Sequence, residues 1–158
     1  MPRMDRRPAS ALARSLAWLT SLMVLSVTLA APPALQLEDA WVRWIPAPVP
    51  NTALYGVLVN PTDHEVRLVG ATTTAAATCM PMTTRKQDTG SPSGPVVSMV
   101  NVDALTVPAH GRLTLAPGGD HLMLMGLTAP LTEGTDVEVT LRFESAAPLT
   151  VRVVVLRK

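Results

Sequence analysis

Aromatic residues are scarce in this chain of 158 residues, with one Phe, one Tyr and three Trp. They never interleave with a basic patch, so the footprint of a nucleic-acid-binding surface is missing. Cysteine is scarcer still. Cys79 stands alone, which excludes an intramolecular disulfide and a Cys-x-x-Cys redox pair. No nucleophile, base and orienting group fall into a recognisable arrangement, so the chain does not read as an enzyme. Apolar periodicity of the helical kind is absent beyond short runs, and there is no internal repeat or low-complexity tract.

The first residues are of another composition. Arg3, Arg6, Arg7 and Arg14 precede an apolar run over residues 15–31. This is the pattern of a secretory signal, residues 1–30, with an A-x-A-like cleavage site after Ala30 or slightly later. The run is short for a membrane span of about 20 residues, and a retained N-terminal anchor is the alternative. Residues 1–30 hold four of the 13 Lys and Arg and one of the 12 Asp and Glu, leaving nine basic against eleven acidic side chains. The formal charge of +1 therefore belongs to the signal, and the rest of the chain is slightly acidic. About 125 residues remain, the size of one domain with one core. That domain is expected over residues 35–158, at the periplasm or the extracytoplasmic face of the membrane.

Within it, short strands alternate with turns. The clearest strand is 136–143, where Val137, Val139, Leu141 and Phe143 alternate with Glu138, Thr140 and Arg142. Leu149, Val151, Val153 and Val155 repeat the theme. Further strands are expected at 37–44, 54–59, 66–72, 76–82, 96–100, 112–115 and 121–125. Asn60-Pro61-Thr62-Asp63, Ala109-His110-Gly111, Pro117-Gly118-Gly119 and Glu133-Gly134 supply turns. Many short strands at this spacing predict an all-β fold, a sandwich or a barrel. Residues 83–95, without apolar periodicity, read as a mobile loop. Trp41 and Trp44, an odd number of residues apart, fall on opposite faces of a strand, one towards the core.

Against this background the methionines are unevenly placed. Beyond the signal, all five fall in three short stretches: Met80 and Met82, Met99, and Met123 and Met125. Core-filling methionine would be scattered among the Leu and Val positions. Side chains two apart in a strand share a face, so His121, Met123 and Met125 project together while Leu122 and Leu124 point away. The same rule sets Met80 and Met82 on one face, with Cys79 and Pro81 on the other. Thioethers are soft, neutral ligands suited to Cu(I) and poor for Mg, Ca or Mn, and imidazole serves copper as well. The pattern is that of a Cu(I) site.

Asp39-Ala40-Trp41-Val42-Arg43, Arg67-Leu68-Val69-Gly70-Ala71 and above all the stretch from Pro117 through His121-Leu122-Met123-Leu124-Met125 to Leu127 closely resemble the PCuAC-type copper chaperones. The resemblance runs from about Leu35 to the C-terminus. Its metal pattern is a His or Met, ten residues, a Met, twenty-one residues, then His-x-Met. Twenty-one residues do separate Met99 from His121, and Met123 completes His-x-Met. With ten residues between, however, the position ahead of Met99 is Asp88, a hard ligand with little affinity for Cu(I). By local context Met80 best matches the first ligand, which requires extra residues in the 83–95 segment. Such an insertion costs little, about 0.6 kcal/mol per doubling of loop length. Met82 and Cys79 compete for that place.

The resemblance implies a cupredoxin-like antiparallel β-sandwich with Met80, Met99, His121 and Met123 as metal ligands. It also implies a monomer that carries Cu(I) towards the binuclear copper centre of cytochrome c oxidase, with subunit II and a Sco-like thioredoxin-fold copper protein as partners. A blue-copper electron carrier is the nearest rival, but its site needs Cys with two His and a weak axial Met. A non-metal structural or adhesion sandwich is the other. Cys79 reads as a small buried hydrophobe, and His64 and His110, both in turn sequences, as exposed and unconnected with metal.

Overall fold

The structure is a computed structural model that describes residues 34–87 and 94–158; the expected signal at 1–30 and Asp88 lie outside the described residues. Ten strands occur in the order β1 (Gln36–Arg43), β2 (Asn51–Asn60), β3 (Val66–Thr72), β4 (Ala76–Gln87), β5 (Val96–Asn101), β6 (Leu105–Val107), β7 (Gly111–Leu115), β8 (His121–Leu127), β9 (Asp136–Phe143) and β10 (Leu149–Leu156). The strands β4, β8, β2, β1, β10, β9 and β3 are hydrogen-bonded in that sequence, and β3 pairs back to β4 at Ala71 and Cys79. The sheet thus closes on itself, with β5 extending beyond β4, β6 beyond β3, and β7 pairing with β2. Closure encloses an apolar interior.

Alternation fills that interior. In β9, Val137, Val139, Leu141 and Phe143 are all buried while Glu138 and Arg142 face solvent. Leu54, Leu58, Leu68, Leu122, Leu124, Val42 and Val155 meet them, each with no exposed surface. Each such side chain contributes about 1.5–3 kcal/mol by leaving water. Asn60, wholly buried at the end of β2, ties the turns together. Its amide nitrogen donates to the carbonyls of His64 at 2.7 Å and Pro108 at 2.9 Å, and its oxygen accepts from the Thr62 backbone N–H and hydroxyl.

The all-β expectation holds, and 66–72 and 136–143 match β3 and β9 to the residue. Three features differ from expectation. β1 and β10 run parallel, through Trp41 and Val154, so the sheet is not antiparallel throughout. β6 was not anticipated, because three residues are too few to display a period. Residues 83–87 are strand and not loop: β4 continues to Gln87, and its far half pairs with β5 from Met82 opposite Asn101 to Gln87 opposite Val96. This arm buries little on either side, so packing imposes no apolar period on it.

One irregularity decides which way β1 faces. Glu38 pairs with Val57 but Trp41 pairs with Tyr55, so three residues on β1 span two on β2. The extra residue makes a β-bulge in which Asp39 adopts φ 49°. Before the bulge Leu35 and Leu37 point inward; after it Val42 does, opposite Leu54. Trp41 and Arg43 are thereby turned to the outer face. Trp41 packs against Tyr55 in a tilted arrangement, with ring centroids 4.7 Å apart. Trp44, past the strand end, packs at the edge of the core beneath the Arg157 guanidinium, 3.9 Å from its ring. Both tryptophans are half-buried, and Trp44 is the one that packs against the core while Trp41 lies on the outer face.

Candidate metal centre

The outer face of β5, β4, β8 and β2 carries the residues singled out by sequence. Within β8, Leu122 and Leu124 are fully buried and Met123 and Met125 are partly exposed, as alternation requires. In β4, Cys79 and Pro81 point inward and Met80 and Met82 outward. Register then sets the donors side by side. Met80 lies opposite Met123 and Met82 opposite His121 across the β4–β8 pair. Met99, on β5, lies opposite Thr84 and diagonal to Met82. Directly paired side chains of neighbouring strands have Cβ atoms about 4.5–5.5 Å apart, within reach of one shared ion.

Met99, His121 and Met123 line one concavity of about 230 Å³, whose other walls include Ala53, Tyr55 and Arg43. Met80 and Met82 adjoin it through their pairings, and register leaves each next to a member of this trio. Met99 is 57% exposed, so the trio is open to an approaching partner on the β5 side. His121 is 2% exposed, more enclosed than a rim position would be. Tyr55 covers it, the two rings lying 6.2 Å apart.

The imidazole is held in one orientation. Its Nδ1 lies 3.0 Å from the Gly119 carbonyl, an acceptor only, so Nδ1 carries the proton and Nε2 keeps its lone pair. A backbone carbonyl behind a histidine is the usual device for orienting a metal-ligating ring. The same carbonyl accepts from the Thr84 N–H and hydroxyl, both at 3.2 Å. The turn is closed by Ala116 N–H on the Asp120 carbonyl and Gly119 N–H on that of Ala116. The loop before β8 and the arm of β4 are thus joined at the histidine they position.

The donor chemistry is restricted. Among the described residues no three His, Cys, Asp or Glu side chains gather as a metal site. The sulfur and nitrogen donors gathered here are thioethers and one imidazole, a neutral soft set that suits monovalent copper better than a hard divalent ion. Cys79 faces the core from the far side of β4, and burial pushes its thiol pKa up, against a smaller lowering by Arg142. A thiol kept protonated is a poor ligand. His64 and His110 are exposed, and His110 pairs with Asp63 at 2.6 Å. Sequence reasoning missed Tyr55 and gave Arg43 no part in the site. Both belong to neighbouring strands, and only the Asp39-to-Arg43 motif touched on either.

Comparison with known proteins identifies the family and the fold. The family model described as "Putative lipoprotein LpqE-like" matches residues 35–155. "Putative lipoprotein Lxx21020" of Leifsonia xyli subsp. xyli is 37% identical over 120 residues, 75% of this chain and 68% of that protein. Among solved structures, the copper-bound PCuAC domain from PmoF2 is similar with a TM-score of 0.64 at 25% identity, over 82% of this chain and 97% of that one. The Cu(I) form of DR1885 from Deinococcus radiodurans gives 0.61 at 36% identity, over 84% of each chain. The chain therefore belongs to the LpqE-like lipoprotein family and is a PCuAC-type domain.

Proposed function

We propose that this protein is an exported Cu(I)-binding metallochaperone. The observation that carries the reading is the single outer face on which His121, with Nε2 free to ligate, meets the thioethers of Met99 and Met123. Copper is cargo, and the chain acts as a carrier and not as a catalyst. Met99, His121 and Met123 are the first three ligands, and Met80, opposite Met123, is the fourth; Met82, opposite His121, flanks them. Copper-bound relatives of this fold and a relative named as a lipoprotein support copper carriage outside the cytoplasm.

None of the thioethers must lose a proton to bind, so uptake depends on pH less than at a thiolate site. Exposure of Met99 lets an acceptor's ligands replace donors one at a time, Met99 first. On this reading the protein works as a monomer and passes Cu(I) to the binuclear centre in cytochrome c oxidase subunit II, directly or through a Sco-like thioredoxin-fold protein. X-ray absorption on the Cu(I)-loaded protein and on His121→Ala tests the site. The expected first shell is sulfur-rich with one nitrogen, which the variant loses. A shell of oxygen and nitrogen without sulfur overturns the reading. Met80→Leu and Met82→Leu decide the fourth ligand by which of them lowers the sulfur count.

A further inference from the structure

A fixed positive charge stands beside this cation site. Across the sheet Met80 pairs with Met123 and Met123 with Ala53. One step on from the Val42–Leu54 pair, Ala53 comes opposite Arg43. The four residues form one row on the outer face. Ala53, with its single methyl, separates Arg43 from Met123, so the long arginine side chain has nothing to cross. Arg43 accordingly lines the same concavity as Met99, His121 and Met123. Its presence on this face depends on the β1 bulge, because without the extra residue Arg43 would take the parity of Leu35 and Leu37 and point into the core. The ion pairs of the described residues engage Arg67, Arg112, Arg152 and Arg157, and none of them neutralises Arg43.

We propose that Arg43 is the charge-discriminating residue of the site, disfavouring divalent ions at a cage that a monovalent ion can still enter. The proposal rests on the Cu(I) reading above. Soft thioethers alone select poorly by charge, since a soft divalent ion satisfies the same sulfurs. Repulsion from a guanidinium scales with the charge of the ion. For a guanidinium and an ion sharing one concavity, a separation of about 7–8 Å is assumed. With an effective dielectric of about 40, because Arg43 is solvent-exposed, the repulsion weakens binding about sevenfold per unit of ionic charge. A monovalent ion suffers this factor once and a divalent ion about its square.

The test compares Cu(I) and Ag(I) with the soft divalent ion Cd(II), anaerobically at low ionic strength, each followed by the His121 imidazole resonances so that only this site is scored. Wild type, Arg43→Gln, Arg43→Lys and the distant surface variant Arg152→Gln are titrated. Arg43→Gln should tighten Cd(II) more than Cu(I) or Ag(I), lowering the monovalent preference about sevenfold; Arg43→Lys restores it, and Arg152→Gln leaves it unchanged. In about 0.5 M salt the difference between wild type and Arg43→Gln should shrink, as screening requires. Equal tightening of all three ions, or no change, overturns the proposal while leaving copper carriage intact. Wild-type His121 resonances that do not respond to Cu(I) overturn the function itself.

Discussion

Replacing Gly56 by Ala probes the bulge on which the outer face depends. Gly56 sits on β2 between the two pairings that fall out of step, at φ 152°. A Cβ there would come 3.0 Å from the Ala40 Cα and 3.0 Å from the Glu38 carbonyl oxygen, both backbone atoms of the bulged strand. Comfortable contact between carbons needs about 3.5–4.0 Å, so strands already hydrogen-bonded to one another must separate. The unfavourable φ costs about 1–3 kcal/mol and the overpacking about 1–3 more, a total near 4 kcal/mol. Gly134 isolates the first contribution, since it also has positive φ, 81°, but nothing within 4 Å of a Cβ. Gly134→Ala should therefore cost only about 1–2 kcal/mol. Urea unfolding followed by tryptophan fluorescence measures both. At about 3–5 °C per kcal/mol for a domain of this size, thermal midpoints should fall by about 12–20 °C for Gly56→Ala and about 3–10 °C for Gly134→Ala. Equal losses in the two variants would refute the claim that close strand approach, and not φ alone, requires glycine at the bulge.

Stability and metal binding should separate elsewhere as well. Asn60→Ala leaves the carbonyls of His64 and Pro108 without their buried donor, and should cost about 2–4 kcal/mol in urea while Cu(I) affinity is unchanged. Met99→Leu is the converse: at a position 57% exposed, stability should stay within about 0.5 kcal/mol while competition with a chromophoric Cu(I) chelator shows a loss of at least about tenfold. Cys79 carries a pH signature. Its thiol pKa is raised in the folded state by burial, so the folded chain binds its proton more tightly than the unfolded one. That contribution is fully present below about pH 9 and is lost as pH rises towards and through the folded pKa, with a slope of at most about 1.4 kcal/mol per pH unit. Cys79→Ala should flatten this alkaline decline and leave Cu(I) affinity unaltered; a fall in affinity would return the thiol to the ligand set.

Parity within one strand is fixed by the backbone, which is why the outward facing of Met80, Met82, Met123 and Met125 could be read before any pairing was known. Relations between strands carry no such local signal. Nothing in Asp39-Ala40-Trp41 announces a bulge, because the extra residue is defined by its partner β2, and so the faces of Trp41 and Arg43 were not legible. The arm formed by β4 and β5 escaped for another reason: little of it is buried, so no apolar period was needed. Closure of the sheet ties these features together. The interior is filled mostly by leucine and valine, so the thioether side chains lie on the outer face. The alternation that sends Leu122 and Leu124 inward sends His121, Met123 and Met125 outward. Donor set and core then occupy opposite faces of the same strands. Thioether positions can therefore change without disturbing the packing that keeps the barrel folded.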